Sequence, residues 1–125
     1  MITERIKGEI ADYYLNEEGI LFSYSKSVVR TVENISDNLA LVKEITGGKK
    51  VPLLIYLTPA PMPDKATRKF SSEHVGDNYS AMAMVSNSGV ENIILRLLFS
   101  IKKSPIPIKA FSDDAAALKW LRSLK

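Results

Sequence analysis

One histidine and no cysteine set the limits of what this 125-residue chain can do chemically. Without thiolates there is no Cys nucleophile, redox dithiol, thiolate zinc site or iron–sulfur cluster to build. What remains is His74, the adjacent carboxylates Glu17-Glu18 and Asp113-Asp114, the run Gly47-Gly48-Lys49-Lys50, and the hydroxyls of Thr58 and Thr67. Paired carboxylates can share acid and base work, and a histidine can move protons near neutral pH. A glycine loop can cradle phosphate, and a hydroxyl near a helix start can carry one.

Position gives most of these groups a plainer task. Glu17-Glu18 falls in a hairpin turn and reads as solvated charge, with no second carboxylate brought to it by any pattern. Asp113-Asp114 opens a helix, where carboxylates cap backbone N–H groups and favour the macrodipole. The Gly47-Gly48 run follows a helix and precedes a strand, the reverse of a phosphate loop, so it reads as a helix stop. His74 ends a polar helix with no Ser or Asp constellation around it and reads as an ordinary helix-end residue. No catalytic, cofactor-binding or metal-binding residue is assigned, and the expectation is a protein that is not an enzyme. Tyr13, Tyr14, Phe22 and Tyr24 have the composition of a base-stacking platform. Strands favour aromatics in any case, and this is the acidic part of the chain, so no nucleic-acid partner is expected.

The elements that carry these residues follow from local pattern. Gly8 to Ser25 holds two β-rich arms around Asn16-Glu17-Glu18-Gly19, a hairpin. In the second arm Ile20, Phe22 and Tyr24 share the face expected to meet a core, and Leu21, Ser23 and Ser25 share the less apolar one. Val32, Ile35, Leu39, Val42 and Ile45 recur at helical spacing, predicting a helix over 31–46. Val51 to Thr58 is apolar without alternation, the mark of a central strand covered on both faces. Asp64 caps a polar helix to about His74, with Ala66 and Phe70 inside. Ser80 to Ser86 is a second buried strand, and the Ser88 to Glu91 capping spacing opens a helix reaching Ile101. Pro105 to Phe111 is the last strand, and a helix from Ser112-Asp113 puts Ala117, Trp120, Leu121 and Leu124 on one side.

The order ββαβαβαβα predicts an α/β domain with right-handed crossovers and a mixed, mostly parallel sheet led by the hairpin. At 46% hydrophobic and 25% charged residues, residues 1–125 read as a single domain. That length buries roughly two-thirds of the unfolded surface, enough to hold a core. The net charge is +3, and residues 102–125 supply the excess with six Lys/Arg against two Asp/Glu. A solvated helix face with cations near the helix end accounts for it. The start MITERIKGEI lacks an apolar stretch of signal-peptide length, and Arg96 and Ser100 interrupt the most apolar run, 93–101. The expectation is a cytoplasmic protein with no membrane span.

A response-regulator receiver shares the alternating layout but needs an acceptor Asp where this chain has Ile55-Tyr56-Leu57-Thr58. A different family fits better. Ile45-Thr46-Gly47-Gly48-Lys49 followed by Val51 to Ile55, then Ser86-Asn87-Ser88, the 92–101 helix, Pro105-Ile106-Pro107 and Ala117 to Leu121 resemble the small bacterial STAS-like proteins. These have the fold of the sporulation anti-sigma factor antagonist, a fold shared with CRAL-TRIO lipid-transfer domains, and the resemblance runs from about Asn16 to Lys125. It implies a STAS-like α/β fold and a non-enzymatic protein-interaction or regulatory module with an unidentified protein partner. In the antagonists a Ser or Thr at the start of the helix after a central strand is phosphorylated. Here three prolines intrude after Tyr56-Leu57-Thr58, which places Thr58, Asp64 and Thr67 in the implied docking or phosphorylation region. The alternative is a small apolar ligand or lipid-binding domain using the 88–101 helix and the gap beneath it. Leu95 and Phe99, off that helix's main apolar stripe, form the expected face of a homodimer.

Overall fold

The computed structural model describes residues 5–58, 61, 63–86 and 104–124. Among them a two-residue strand β1 (Ile6–Lys7) precedes the hairpin of β2 (Ala11–Leu15) and β3 (Leu21–Ser25). Then come α1 (Val32–Thr46), β4 (Val51–Tyr56), α2 (Lys65–Asn78), β5 (Tyr79–Val85), β6 (Ile108–Phe111) and α3 (Asp114–Ser123). The helix expected over 88–101, with Leu95 and Phe99, lies outside the described residues.

Local chemistry sets the element ends. Asn16 closes the hairpin: its side-chain oxygen accepts from Ile20 N at 2.9 Å and its carbonyl from Gly19 N at 3.1 Å. Thr31 and Asn34 cap α1 reciprocally, each side chain accepting from the other's backbone N–H at 3.1 and 2.8 Å. Gly47 ends that helix at φ 68, a left-handed conformation that a Cβ would penalise. Asp64 and Asp113 cap α2 and α3 by accepting from Thr67 N and Ala116 N, both at 2.8 Å. Pro52, the second residue of β4, sits at an irregularity in the β4–β5 pairing, where a missing N–H disturbs the ladder least.

The six strands lie in sequence order across one sheet. β1, β2 and β3 are antiparallel neighbours, and β3 to β6 are parallel. β4 is central, as its unbroken apolar run predicts. Side-chain alternation and the register divide the sheet into two packed faces. Leu21, Leu53, Met82 and Ile108 form one cross-strand row and pack with Val42 of α1 and Val75 of α2. On the opposite face Leu54, Ala81, Ala83 and Val85 meet Ala117 and Leu121 of α3, with Phe22, Tyr56, Phe111 and Trp120 around them. Burying side chains such as Leu21 and Leu54 contributes about 1.5–3 kcal/mol each.

Two expectations are corrected. The Leu21/Ser23 face of β3 is the more deeply buried one, because α1 and α2 lie over it. Phe22 and Tyr24 are only half covered, since α3 packs chiefly over β5 and its neighbours β4 and β6. α2 also runs to Asn78, and its inner residues are Thr67, Val75 and Asn78 while Ala66 is exposed. The pattern hid this because a polar Thr and Asn take two of the inner positions. Asn78 belongs there because its amide donates to the Leu39 carbonyl at 3.0 Å and ties α2 to α1.

Candidate functional site

The apolar stripe of α1 is unevenly buried. Val42 is fully covered, whereas Ile35 and Leu39, two turns and one turn earlier, are half-buried. The same holds across the sheet, where Leu53 is buried and Ile55 and Leu57 are partly open. These half-open side chains share a cavity of about 200 Å³ between the sheet and the α1/α2 layer. Met82, Met84 and Val75 continue its apolar wall, and Tyr13 and Tyr79 stand within it.

Ser25, Leu57, Thr58, Pro61 and Pro63 mark the end of the cavity at the carboxyl ends of β3 and β4. Both covering helices start at that end, so their positive dipole ends lie there too. In open α/β sheets the carboxyl ends of the strands are where ligands bind.

A small polar set interrupts the apolar lining. Asn38 of α1 donates its amide to the Tyr13 hydroxyl of β2. Burial pushes the Tyr13 pKa up, and hydrogen bonding with Asn38, Ser23 and Tyr79 takes back part of that rise. Burial raises Tyr79 more strongly still, reinforced by Tyr13. Arg30 donates to the carbonyls of Lys26, Val28 and Ile10, the latter two at 2.7 and 3.1 Å, and so locks the β3–α1 connection against the start of β2. Burial lowers its pKa. His74 lines the cavity from α2, with its ring on Phe70 at 4.3 Å between centroids and Nδ1 2.7 Å from Asp77 Oδ2.

The sequence-derived residues separate in space. Thr58 is exposed, lines the cavity mouth and donates to the Ser25 carbonyl at 3.1 Å. Thr67 is 2% exposed, so of the two hydroxyls only that of Thr58 faces solvent. Asp64 is a helix cap, its carboxyl held below the usual range by the Thr67 hydroxyl and N–H. Glu18 is more than solvated charge, since Arg122 Nε and Nη2 bind its two oxygens at 2.9 and 2.7 Å. The four aromatics of the hairpin do not form one platform: Tyr13 points into the α1/α2 face and Tyr14, Phe22 and Tyr24 to the other. There Tyr24 stacks on Tyr56 at 5.1 Å, and the Arg5 guanidinium sits 3.6 Å from the Tyr24 ring.

Sequence reasoning missed Arg30, Asn38 and Tyr79, which no motif marks. One signal was present: Ser23 and Ser25 make one face of the second hairpin arm partly polar, and Tyr13 stands beside Ser23 in the pairing.

Residues 13–125 match the sequence pattern of DUF7793, a domain of unknown function. The chain belongs to the DUF7793 family. No curated protein matches it. Among solved structures, this DUF7793 chain is similar to an uncharacterized protein of the DUF3478 family with a SpoIIAA-like fold from Shewanella loihica PV-4. The two are 17% identical, with 97% of this chain and 98% of that one covered and a TM-score of 0.63. A protein of unknown function from Arthrobacter sp. FB24 is 21% identical over 95% of this chain and 98% of its own, at a TM-score of 0.31. The first likeness establishes the STAS-like, anti-sigma factor antagonist-like fold for this DUF7793 chain, as its sequence resemblance implies. No helix among the described residues is long and apolar enough to cross a membrane.

Proposed function

We propose that this protein is a non-enzymatic binding module that takes a small, mainly apolar molecule into the cavity between the sheet and the α1/α2 layer. The observation that carries this reading is the position of the hollow. It lies on the face that holds the larger apolar cluster, and it opens at the strand ends where this class of sheet binds ligands. Side chains one methylene longer at Ile35 or Leu39 would shrink it, so the space is a property of the chosen residues. The lining is hydrocarbon and thioether with few polar groups, which suits shape-based binding.

The test is a titration of the protein with 1-octanol, followed at the Met82 and Met84 methyl groups by NMR. Saturable shifts at one molecule per chain support the reading; linear shifts, or none at these methyls, refute it.

A second reading, a regulatory module that docks a protein partner, is favoured by two exposed residues beside the mouth. Val29 and Val32 are 57% and 39% exposed on either side of Arg30, and Pro61 of the β4–α2 loop is exposed at the same opening. In this reading the partner touches the cavity rim, so an occupant changes the docking surface. Homodimerisation through Leu95 and Phe99 belongs to the same reading, and a Phe99→Glu variant that sediments unchanged rejects it.

A further inference from the structure

The character of the cavity mouth narrows the ligand class, on the premise that the cavity is a binding site. We propose that it takes a small monocarboxylic acid, with the apolar body among Leu39, Ile55 and Met84 and the carboxylate on Arg30. Arg30 is half-buried at the cavity edge, and its three hydrogen bonds all go to backbone carbonyls. Carbonyls fix the position of a guanidinium but carry no net charge. Among the described residues no carboxylate lies within ion-pairing distance of it; the three ion pairs are Asp12 with Lys26, Asp77 with His74, and Glu18 with Arg122. The neighbouring cation Lys26 is therefore already matched, and among the described residues Arg30 is the cation at this cavity without an acidic partner.

A guanidinium presents five N–H donors in a planar fork, which leaves donors beyond the three carbonyl bonds for a carboxylate. The starts of α1 and α2 at the same opening add positive potential. Size completes the description. An apolar cavity of about 150 Å³ holds benzene, so 200 Å³ holds a body of roughly eight carbons. That admits a medium-chain or aryl-substituted acid and excludes the full acyl chains of a membrane lipid.

Isothermal titration of the whole chain with octanoate, 1-octanol and octylammonium at low salt tests this without altering the protein. The expected result is octanoate binding about tenfold or more tighter than 1-octanol, the scale of a charge-assisted hydrogen bond, with octylammonium weakest. Added salt erodes the preference for octanoate. Arg30→Gln, which keeps amide donors for the carbonyls, is expected to bring octanoate down to the affinity of 1-octanol. If circular dichroism shows that variant unfolded, the wild-type preference and its salt dependence decide. Equal binding of octanoate and 1-octanol at the Met82 and Met84 methyls overturns the role of Arg30 and leaves the cavity reading standing. Octanoate binding that shifts only the basic 102–125 segment overturns the carboxylate site too, and the cavity reading then rests on 1-octanol at those methyls. No binding by any of the three probes overturns both.

Discussion

Asn38 and Tyr13 meet across the inner end of the cavity, the amide of one donating to the hydroxyl of the other, and this bond joins the first long helix to the hairpin. It ties α1 to β2 within a polar set that also includes Ser23 and Tyr79. Removing the hydroxyl with Tyr13→Phe keeps the ring and leaves a partly buried amide donor unpaired. The expected loss is about 1–3 kcal/mol in chemical denaturation. An unchanged midpoint would show that this bond adds nothing to what holds α1 on the sheet.

Gly8 lies where β1 turns into β2, and a Cβ there would stand 2.6 Å from the Ala11 carbonyl oxygen and 3.0 Å from Leu41 Cδ2. The nearer atom is backbone and cannot rotate away. Gly8→Ala is expected to destabilise by about 1–3 kcal/mol through overpacking. Thermal unfolding of this variant equal to that of the wild type would place the β1–β2 turn elsewhere.

Leu39→Phe fills the cavity from α1 without touching the backbone carbonyl that Asn78 uses. A ring that packs there is expected to add about 0.5–2 kcal/mol of stability while abolishing saturable 1-octanol binding. Stability and binding then move in opposite directions. Retained binding in the stabilised variant would separate the ligand from the cavity.

Tyr56 of β4 donates to Asp114 Oδ2 of α3 at 2.8 Å. Burial first, and then this hydrogen bond, raise its pKa well above that of a free tyrosine. The unfolded chain ionises near pH 10 and the folded one later, so this contribution is complete below about pH 10 and is lost as pH rises further. Tyr13 and Tyr79 act in the same direction. Ultraviolet titration should therefore find a late-ionising tyrosine that moves to lower pH in Asp114→Asn. A titration identical in that variant would remove the Tyr56–Asp114 bond as a cause.

Arg122 and Glu18 illustrate what was out of reach of sequence reading. Each was legible alone, as a helix-end cation and a turn carboxylate, yet their bidentate contact spans 104 residues of separation. The pair exists because the crossovers put α3 on the hairpin's half-covered face. The fold itself was largely legible, since helix and strand limits depend on groups a few residues apart. Thr31 with Asn34, Asp64 with Thr67 and Asp113 with Ala116 each form a cap within three residues. The site was not legible, because its polar members come from β2, β3, the β3–α1 connection, α1, α2 and β5.

The sequence by itself determined the alternation of elements, the central place of β4 and the start and stop of α1, because propensity, capping and hydrophobic period act locally. Only the tertiary structure decided which face of each strand lies deepest. Side chains alternate with period two, so both faces of β3 were available, and the helices laid over Leu21 and Ser23 chose between them. The same packing left Ile35, Leu39 and Ile55 short of filling the space between the layers. It also set Arg30 at the open edge of that space, among carbonyls and away from the acids described.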